Sequence, residues 1–165
     1  MIRQDRFRQN ILPVIDRLFR LALSITKNKE DAEDVVQDVL FNVWKKKAEW
    51  GNIENMEAYC FRSIRNMALD KIALMENHPE EIPGNYDYPA LGEDVQQKIE
   101  IEEQMNLLEN WVKNLPEKQQ TIFRLREVEG LSYKEVAMIL NISEEQVKIN
   151  LFRLRRKLKK HFDNI

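Results

Sequence analysis

The 165-residue chain has a single cysteine, Cys60, and only two histidines, His78 and His161. One cysteine cannot form an internal disulfide, and these three residues provide no zinc-ligand spacing, so no metal or cofactor is expected. With four glycines there is no phosphate-binding glycine loop, and no nucleophile stands beside a plausible base. An enzyme is therefore the least supported class. No run of about eighteen apolar residues occurs, and the start MIRQDRFRQN lacks the apolar core of a secretion signal. The expectation is a cytoplasmic protein not inserted in a membrane.

Strand-like alternation, internal repeats and low-complexity tracts are absent too. What remains is helical periodicity in a chain that is 43% hydrophobic and 33% charged, enough for one ordinary core or two small ones. The net charge of −2 looks wrong for a nucleic-acid partner until it is divided along the chain. Residues 1–75 carry 13 basic and 11 acidic groups, 76–109 carry 1 and 10, 110–145 carry 5 and 6, and 146–165 carry 7 and 1. The C-terminal end can meet phosphates, while the acidic middle repels them and weakens DNA binding by the chain alone.

Phe7, Ile11, Ile15, Leu18, Ala22 and Ile25 recur at helical steps and predict a first long helix. Asn28 ends it or caps the next, in which Ala32, Val35, Val36, Val39, Leu40, Val43 and Trp44 form a broad apolar stripe. AEWGNIEN has no helical period and reads as a loop. A third helix carries Cys60, Ile64, Met67, Ala68, Ile72 and Met75 on its apolar side, with Arg62, Arg65, Asn66 and Asp70 projecting elsewhere. Between His78 and Asp94 lie three prolines, two glycines and the acids Glu80, Glu81, Asp87, Glu93 and Asp94, a linker composition. Beyond it Ile101, Met105, Leu108 and Val112 mark a fourth helix stopping near Pro116, and Ile122, Phe123 and Leu125 lie in a fifth ending at Gly130. The expected fold is all-α: two small helical domains, 1–76 and 98–165, joined by an acidic linker, 77–97.

The segment GLSYKEVAMILNISEEQVKINLFRLRRKLKK contains two helix starts separated by a short turn. Ser132 with Glu135, and Ser143 with Gln146, have capping-box spacing. Asn141 can take the left-handed conformation after a helix end, and Ala137 is small enough for close helix approach. This is a helix-turn-helix signature, with Val136, Leu140, Ile142, Val147 and Leu151 as its core and Leu154, Leu158 and Phe162 continuing the stripe. The other side of the last helix offers Gln146, Lys148, Asn150, Arg153, Arg156 and Lys160, whose amides and guanidinium groups suit base edges and phosphates. With Ile149 and, from the preceding helix, Lys134, these are the candidate DNA contacts. A solvated basic helix would carry the same charge, but the double punctuation favours DNA reading. Glu144 and Glu145 suit a helix N-terminus, yet sit where phosphates could come close. In the N-terminal half, Asp31, Asp34, Gln37 and Asp38 form a polar strip beside a heavy apolar stripe, able to dock on another protein's helices. Tyr59 and Phe61 interleave with Arg62, Arg65 and Lys71, a mixture that can stack on unpaired bases; each pattern is also compatible with plain core and surface. Trp44 and Trp50 are read as core or loop packing.

These segments together resemble the extracytoplasmic-function (ECF) group of sigma factors, in the family's order. DAEDVVQDVLFNVWKK is similar to its polymerase-binding helix, NMEAYCFRSIRNMALDKI to its promoter-melting helix, and LPEKQQTIFRLREVEGLSYKEVAMILNISEEQVKINLFRLRRKL to its DNA-reading domain. The resemblance implies that Asp34, Gln37, Asp38 and Phe41 meet a coiled coil of core RNA polymerase and that Arg62, Arg65 and Asn66 lie near the minus-ten element of promoter DNA. It also implies that Glu49 through Asn55 capture a flipped base, that Gln146 to Arg156 enter the minus-thirty-five major groove, and that the acidic linker threads a basic polymerase channel. An anti-sigma factor, commonly membrane-bound in the family, is the implied inhibitor. The pattern departs at Ile72-Ala73-Leu74-Met75, where more basic residues are frequent, and at Asn141, which replaces a turn glycine. The rival reading is an autonomous DNA-binding regulator, which would bind an operator tightly without polymerase.

Overall fold

The computed structural model describes residues 9, 11–76 and 95–163; for 95–98 it describes the backbone alone. Phe7 and the residues 77–94, most of the assigned linker, lie outside this range.

Among the described residues every regular element is helical. The predicted first helix is broken near Pro13: a 3-10 turn, Leu12–Val14, precedes α1, Ile15–Thr26. Proline lacks the amide hydrogen that a continuous helix needs, which explains the interruption. Helix α1 ends on Lys27 in the left-handed conformation (φ 55°), and Asn28, in extended conformation, accepts from the Asp31 amide at 3.0 Å to start α2, Lys29–Lys45. Asn28 is thus the cap of the second helix, and two residues turn the chain. The hydroxyls of Ser24 and Thr26, both buried, donate back to the carbonyls of Leu21 and Ala22, so neither hydroxyl is stranded.

The segment expected to be an aperiodic loop instead forms a 3-10 helix, Lys47–Asn52. Trp50 drives this: it is buried, its indole N–H donates to the Val43 carbonyl at 2.8 Å, and its ring meets Trp44 edge-on at 6.0 Å. Asn55 then accepts from the Ala58 amide at the start of α3, Met56–Glu76. Ala58, Cys60, Phe61, Ile64 and Ala68 of α3 are fully buried against α1 and α2.

Helix α4, Val95–Lys113, begins inside the assigned linker. Among its described side chains the packed ones lie at the C-terminal end: Val112 is buried and Leu108 and Trp111 half-buried, with Leu115, Phe123 and Leu154, whereas Ile101 and Met105 are exposed despite their periodicity. Helix α5, Glu117–Phe123, runs into a π turn, Arg124–Val128, and Gly130 (φ 70°) reverses the chain. Helices α6, Tyr133–Leu140, and α7, Glu144–Asp163, follow. Leu154 is fully buried, while Leu158 and Phe162 are only half-covered.

The two halves are closed on one another. Helix α3 packs on α6, and the core of α1–α3 continues without a break into Ile122, Leu125, Leu131, Val136, Ile139, Val147 and Leu151. A polar clamp sits at the seam's edge. The Glu129 carboxylate, 4% exposed, accepts from Arg17 at 3.0 Å and from Arg20 at 2.9 and 3.0 Å, while Arg17 also reaches the Glu129 carbonyl and Glu57. Asn55 donates to Glu135 at 3.2 Å and Arg65 to Glu117 at 2.9 Å.

Candidate nucleic-acid interface

Local hydrogen bonds fix the helix-turn-helix. Ser132 Oγ accepts from the Glu135 amide and Glu135 Oε1 from the Ser132 amide; Ser143 and Gln146 repeat the exchange at the start of α7. Between them Asn141 is left-handed (φ 54°), and the Ile142 amide donates to the Ala137 carbonyl at 3.0 Å. Val136, Leu140, Val147 and Leu151 are buried and Ile142 half-buried. This core sets which side of α7 faces outward.

That outward side holds Lys148, Ile149, Arg153 and Arg156, all exposed, with Asn150 at its edge. Lys134 is exposed on α6. Two amides are already engaged: Gln146 closes the capping box, and Asn150 Nδ2 donates to the Gln146 carbonyl at 2.7 Å. Arg155, beside this face, is held by Glu127 at 2.7 Å, and that hydrogen bond raises its pKa. Reading residues alone gave no role to Phe152, 62% exposed beneath Arg156 (5.8 Å), or to Tyr133, which lies under Arg126 and Lys148.

On α3, Arg62 and Asn66 are exposed, but Arg65 is not: its side chain is 17% exposed and tied to Glu117, with Nε buried and without a hydrogen-bond partner. The structure therefore does not bring all three to one open face. Asn66 lines a groove of about 250 Å³ between α2 and α3 that mixes the polar Asn42, Lys46, Ser63 and Asp70 with the apolar Val39, Val43 and Met67. Of the segment Glu49 through Asn55, the exposed residues are Glu49, Gly51, Asn52 and Glu54.

Asp34, Gln37, Asp38 and Phe41 are all exposed and lie along one stripe of α2, as steps of three and four residues require. Phe41 is 58% exposed with the Lys45 ammonium 4.7 Å above its ring, and Lys71 stands 3.5 Å from both Asp31 and Asp34. Arg17, Arg20, Glu117 and Glu129 escaped the sequence reading because their partners lie far away in the chain. No helix of the described residues is long and apolar enough to cross a membrane, and no group of histidine, cysteine or carboxylate residues among them is placed to hold a metal ion.

Residues 12–73 match the family Sigma-70 region 2, and residues 105–158 match Sigma-70, region 4. The ECF RNA polymerase sigma factor SigM of Bacillus subtilis is 27% identical over 147 residues, covering 86% of each chain. SigW of the same organism is 23% identical, covering 98% of this chain and 91% of its own, and EcfG of Rhodopseudomonas palustris is 26% identical, covering 93% and 83%. In fold, the chain is similar to the sigma factor RpoE of Bartonella quintana, solved with the anti-sigma factor NepR (TM-score 0.71, 22% identity, 95% and 96% covered). It is likewise similar to CnrH, solved with the cytosolic domain of CnrY (TM-score 0.68, 20% identity, 98% and 90% covered). Both halves match regions of one family in the family's order, and the chain belongs to the ECF group of RNA polymerase sigma factors.

Proposed function

We propose that this chain is an alternative sigma factor that docks on core RNA polymerase through the Asp34, Gln37, Asp38 and Phe41 stripe and directs initiation at specific promoters. The observation that carries the reading is the doubly capped helix-turn-helix, whose outward face is basic and whose inward face buries Val136, Leu140, Val147, Leu151 and Leu154. In this reading 1–76 serves the polymerase and the minus-ten element, with Arg62, Arg65 and Asn66 at the melted strand and the segment from Glu49 to Asn55 receiving a flipped base. The unit 98–165 serves the minus-thirty-five element, through Lys134 and the α7 residues Gln146, Lys148, Ile149, Asn150, Arg153 and Arg156. The acidic linker runs through a basic channel of the polymerase. The factor acts without catalysing a reaction, in the cytoplasm, and is restrained by an anti-sigma factor, with a membrane-bound one fitting the family habit.

Geometry adds a requirement. The two promoter elements are roughly 25 base pairs apart, on the order of 80 Å of B-form DNA at about 34–36 Å per turn. A compact chain of 165 residues has a radius of gyration of about 15 Å and a diameter of roughly 40 Å. The closed form cannot reach both elements, so the α3–α6 seam must part when polymerase binds.

Run-off transcription with core polymerase and promoter-library templates tests this. Polymerase-dependent initiation that vanishes without the chain supports it; tight operator binding with no effect on polymerase favours an autonomous regulator and overturns it.

A further inference from the structure

The outward face of α7 is not uniformly polar. Ile149 is 42% and Phe152 62% exposed, three residues apart and opposite the buried Val147, Leu151 and Leu154. Exposed apolar residues scattered singly need no explanation. These two are neighbours on one turn, and cations and amides bracket them: Lys148, Asn150, Arg153 and Arg156. The surrounding charge commits the face to a polyanion, because residues 146–165 hold 7 basic groups and 1 acidic group.

Resting on the promoter-reading role proposed above, we infer that Ile149 and Phe152 form an apolar reader of thymine in the minus-thirty-five element. The warrant is chemical. In the major groove the thymine C5-methyl is the apolar group that base pairs present, and aliphatic or aromatic side chains are its natural contacts. The three-residue step advances about 4.5 Å along the helix axis, close to the ~3.4 Å rise between base pairs, so the pair can meet methyl groups on adjacent steps. Phe152 carries Arg156 over its ring at 5.8 Å, which places a cation beside the aromatic contact, where a phosphate can take it. Specificity then comes from two layers: methyl contacts select thymine, and the flanking cations hold the backbone without selecting sequence.

The test uses the assembled holoenzyme. Duplexes with a randomised upstream element are selected for holoenzyme binding, and each enriched thymine is replaced by deoxyuridine, which removes the methyl group alone. Enrichment of thymine at one or two adjacent pairs is expected, with about a three- to fourfold loss of binding per methyl removed, the factor that burying one such carbon contributes. In Ile149→Ser and Phe152→Ala the ratio of thymine to deoxyuridine binding should fall towards one. That ratio is internal to each protein and is not altered by a loss of folded material. No enriched thymine, no deoxyuridine effect in the wild type, or an unchanged ratio in both variants overturns the inference while leaving a working sigma factor. A holoenzyme that selects no sequence at all overturns the promoter-reading role itself.

Discussion

Replacing Glu129 by glutamine removes one negative charge from a point where two guanidinium groups converge, and keeps the side chain's shape. The carboxylate is 4% exposed and bonds Arg17 at 3.0 Å and Arg20 at 2.9 and 3.0 Å. An amide can still accept through its oxygen, but its NH2 group then faces a second donor, so at least one charge-assisted bond is lost. Such bonds contribute about 1.5–3 kcal/mol each. Arg17 and Arg20 are 26% and 46% exposed, and water recovers part of the loss. The net effect is about 1–2 kcal/mol against the closed form, a shift of roughly 5- to 30-fold in the closed-to-open ratio.

If polymerase takes the open form, the apparent Kd of the wild type is raised by the reciprocal of its open fraction. Glu129→Gln should then bind core polymerase more tightly, by up to the same factor. Small-angle scattering should show the radius of gyration of the free variant rising above the roughly 15 Å of a compact chain this size, and Arg17→Ala with Arg20→Ala should move it the same way. A variant as compact as the wild type, with unchanged amide-exchange protection along the α3–α6 seam and unchanged polymerase affinity, would refute the idea that this clamp holds the halves together.

Phe41→Ala should leave unfolding stability within about 0.5 kcal/mol, since the ring is 58% exposed, yet weaken core polymerase binding tenfold or more in a competition assay; unchanged affinity would remove it from the docking stripe. Ser143→Ala should cost about 1 kcal/mol in urea unfolding through loss of the α7 cap. Asn141→Gly should be neutral or slightly stabilising at φ 54° while Asn141→Val costs about 1–2 kcal/mol; equal stabilities for the two would contradict the left-handed turn. The Cys60 thiol is pushed up to about 12 by burial, with the Glu57 charge acting in the same direction. The folded state therefore holds this proton more tightly than the unfolded one. The stability this contributes is complete below the ordinary value of 9.0 and drains as pH rises from there towards 12. At pH 8 the native chain should resist thiol alkylation and react only in denaturant; rapid labelling of native protein would contradict it.

Features written in a few neighbouring residues were legible. Asn28, Ser132 with Glu135, and Ser143 with Gln146 announce helix starts because a side chain three residues from an amide can satisfy it, whatever the rest of the chain does. The same holds for Asn141, one of the few residue types at ease in a left-handed turn. Features decided by distant groups were hidden. Nothing local distinguishes Arg17 and Arg20 from ordinary surface arginines, and Glu129 is more than a hundred residues away. Arg65 looked outward-facing by helical position, but Glu117 draws it into the seam. Periodicity also overreached: Ile101 and Met105 recur like core residues, and the described chain leaves them exposed, because a repeating pattern reveals an apolar face but not what covers it. In the Lys47–Asn52 segment the reverse happened, where one tryptophan bonded to the Val43 carbonyl built a turn that no periodicity signals.

Closure and the proposed promoter contact share one side chain, Arg65. Glu117 and Glu129, both from the C-terminal half, neutralise Arg65, Arg17 and Arg20 of the N-terminal half. Parting the seam leaves Arg65 with its positive charge uncovered on the helix that also presents Arg62 and Asn66. If Arg65 meets the melted strand as proposed, the strand's phosphates and the Glu117 carboxylate compete for one guanidinium, and whatever holds the open form favours the strand by the same free energy with which the strand favours opening. The Arg65–Glu117 pair has one partner 45% exposed, so its own share of this coupling is small, about 0.2–1 kcal/mol. Most of the work of opening falls on the Glu129 clamp and the shared apolar seam, where DNA has no direct hold. On that division DNA alone shifts the equilibrium only slightly, and a partner that grips the two halves at separate places is needed to open the chain.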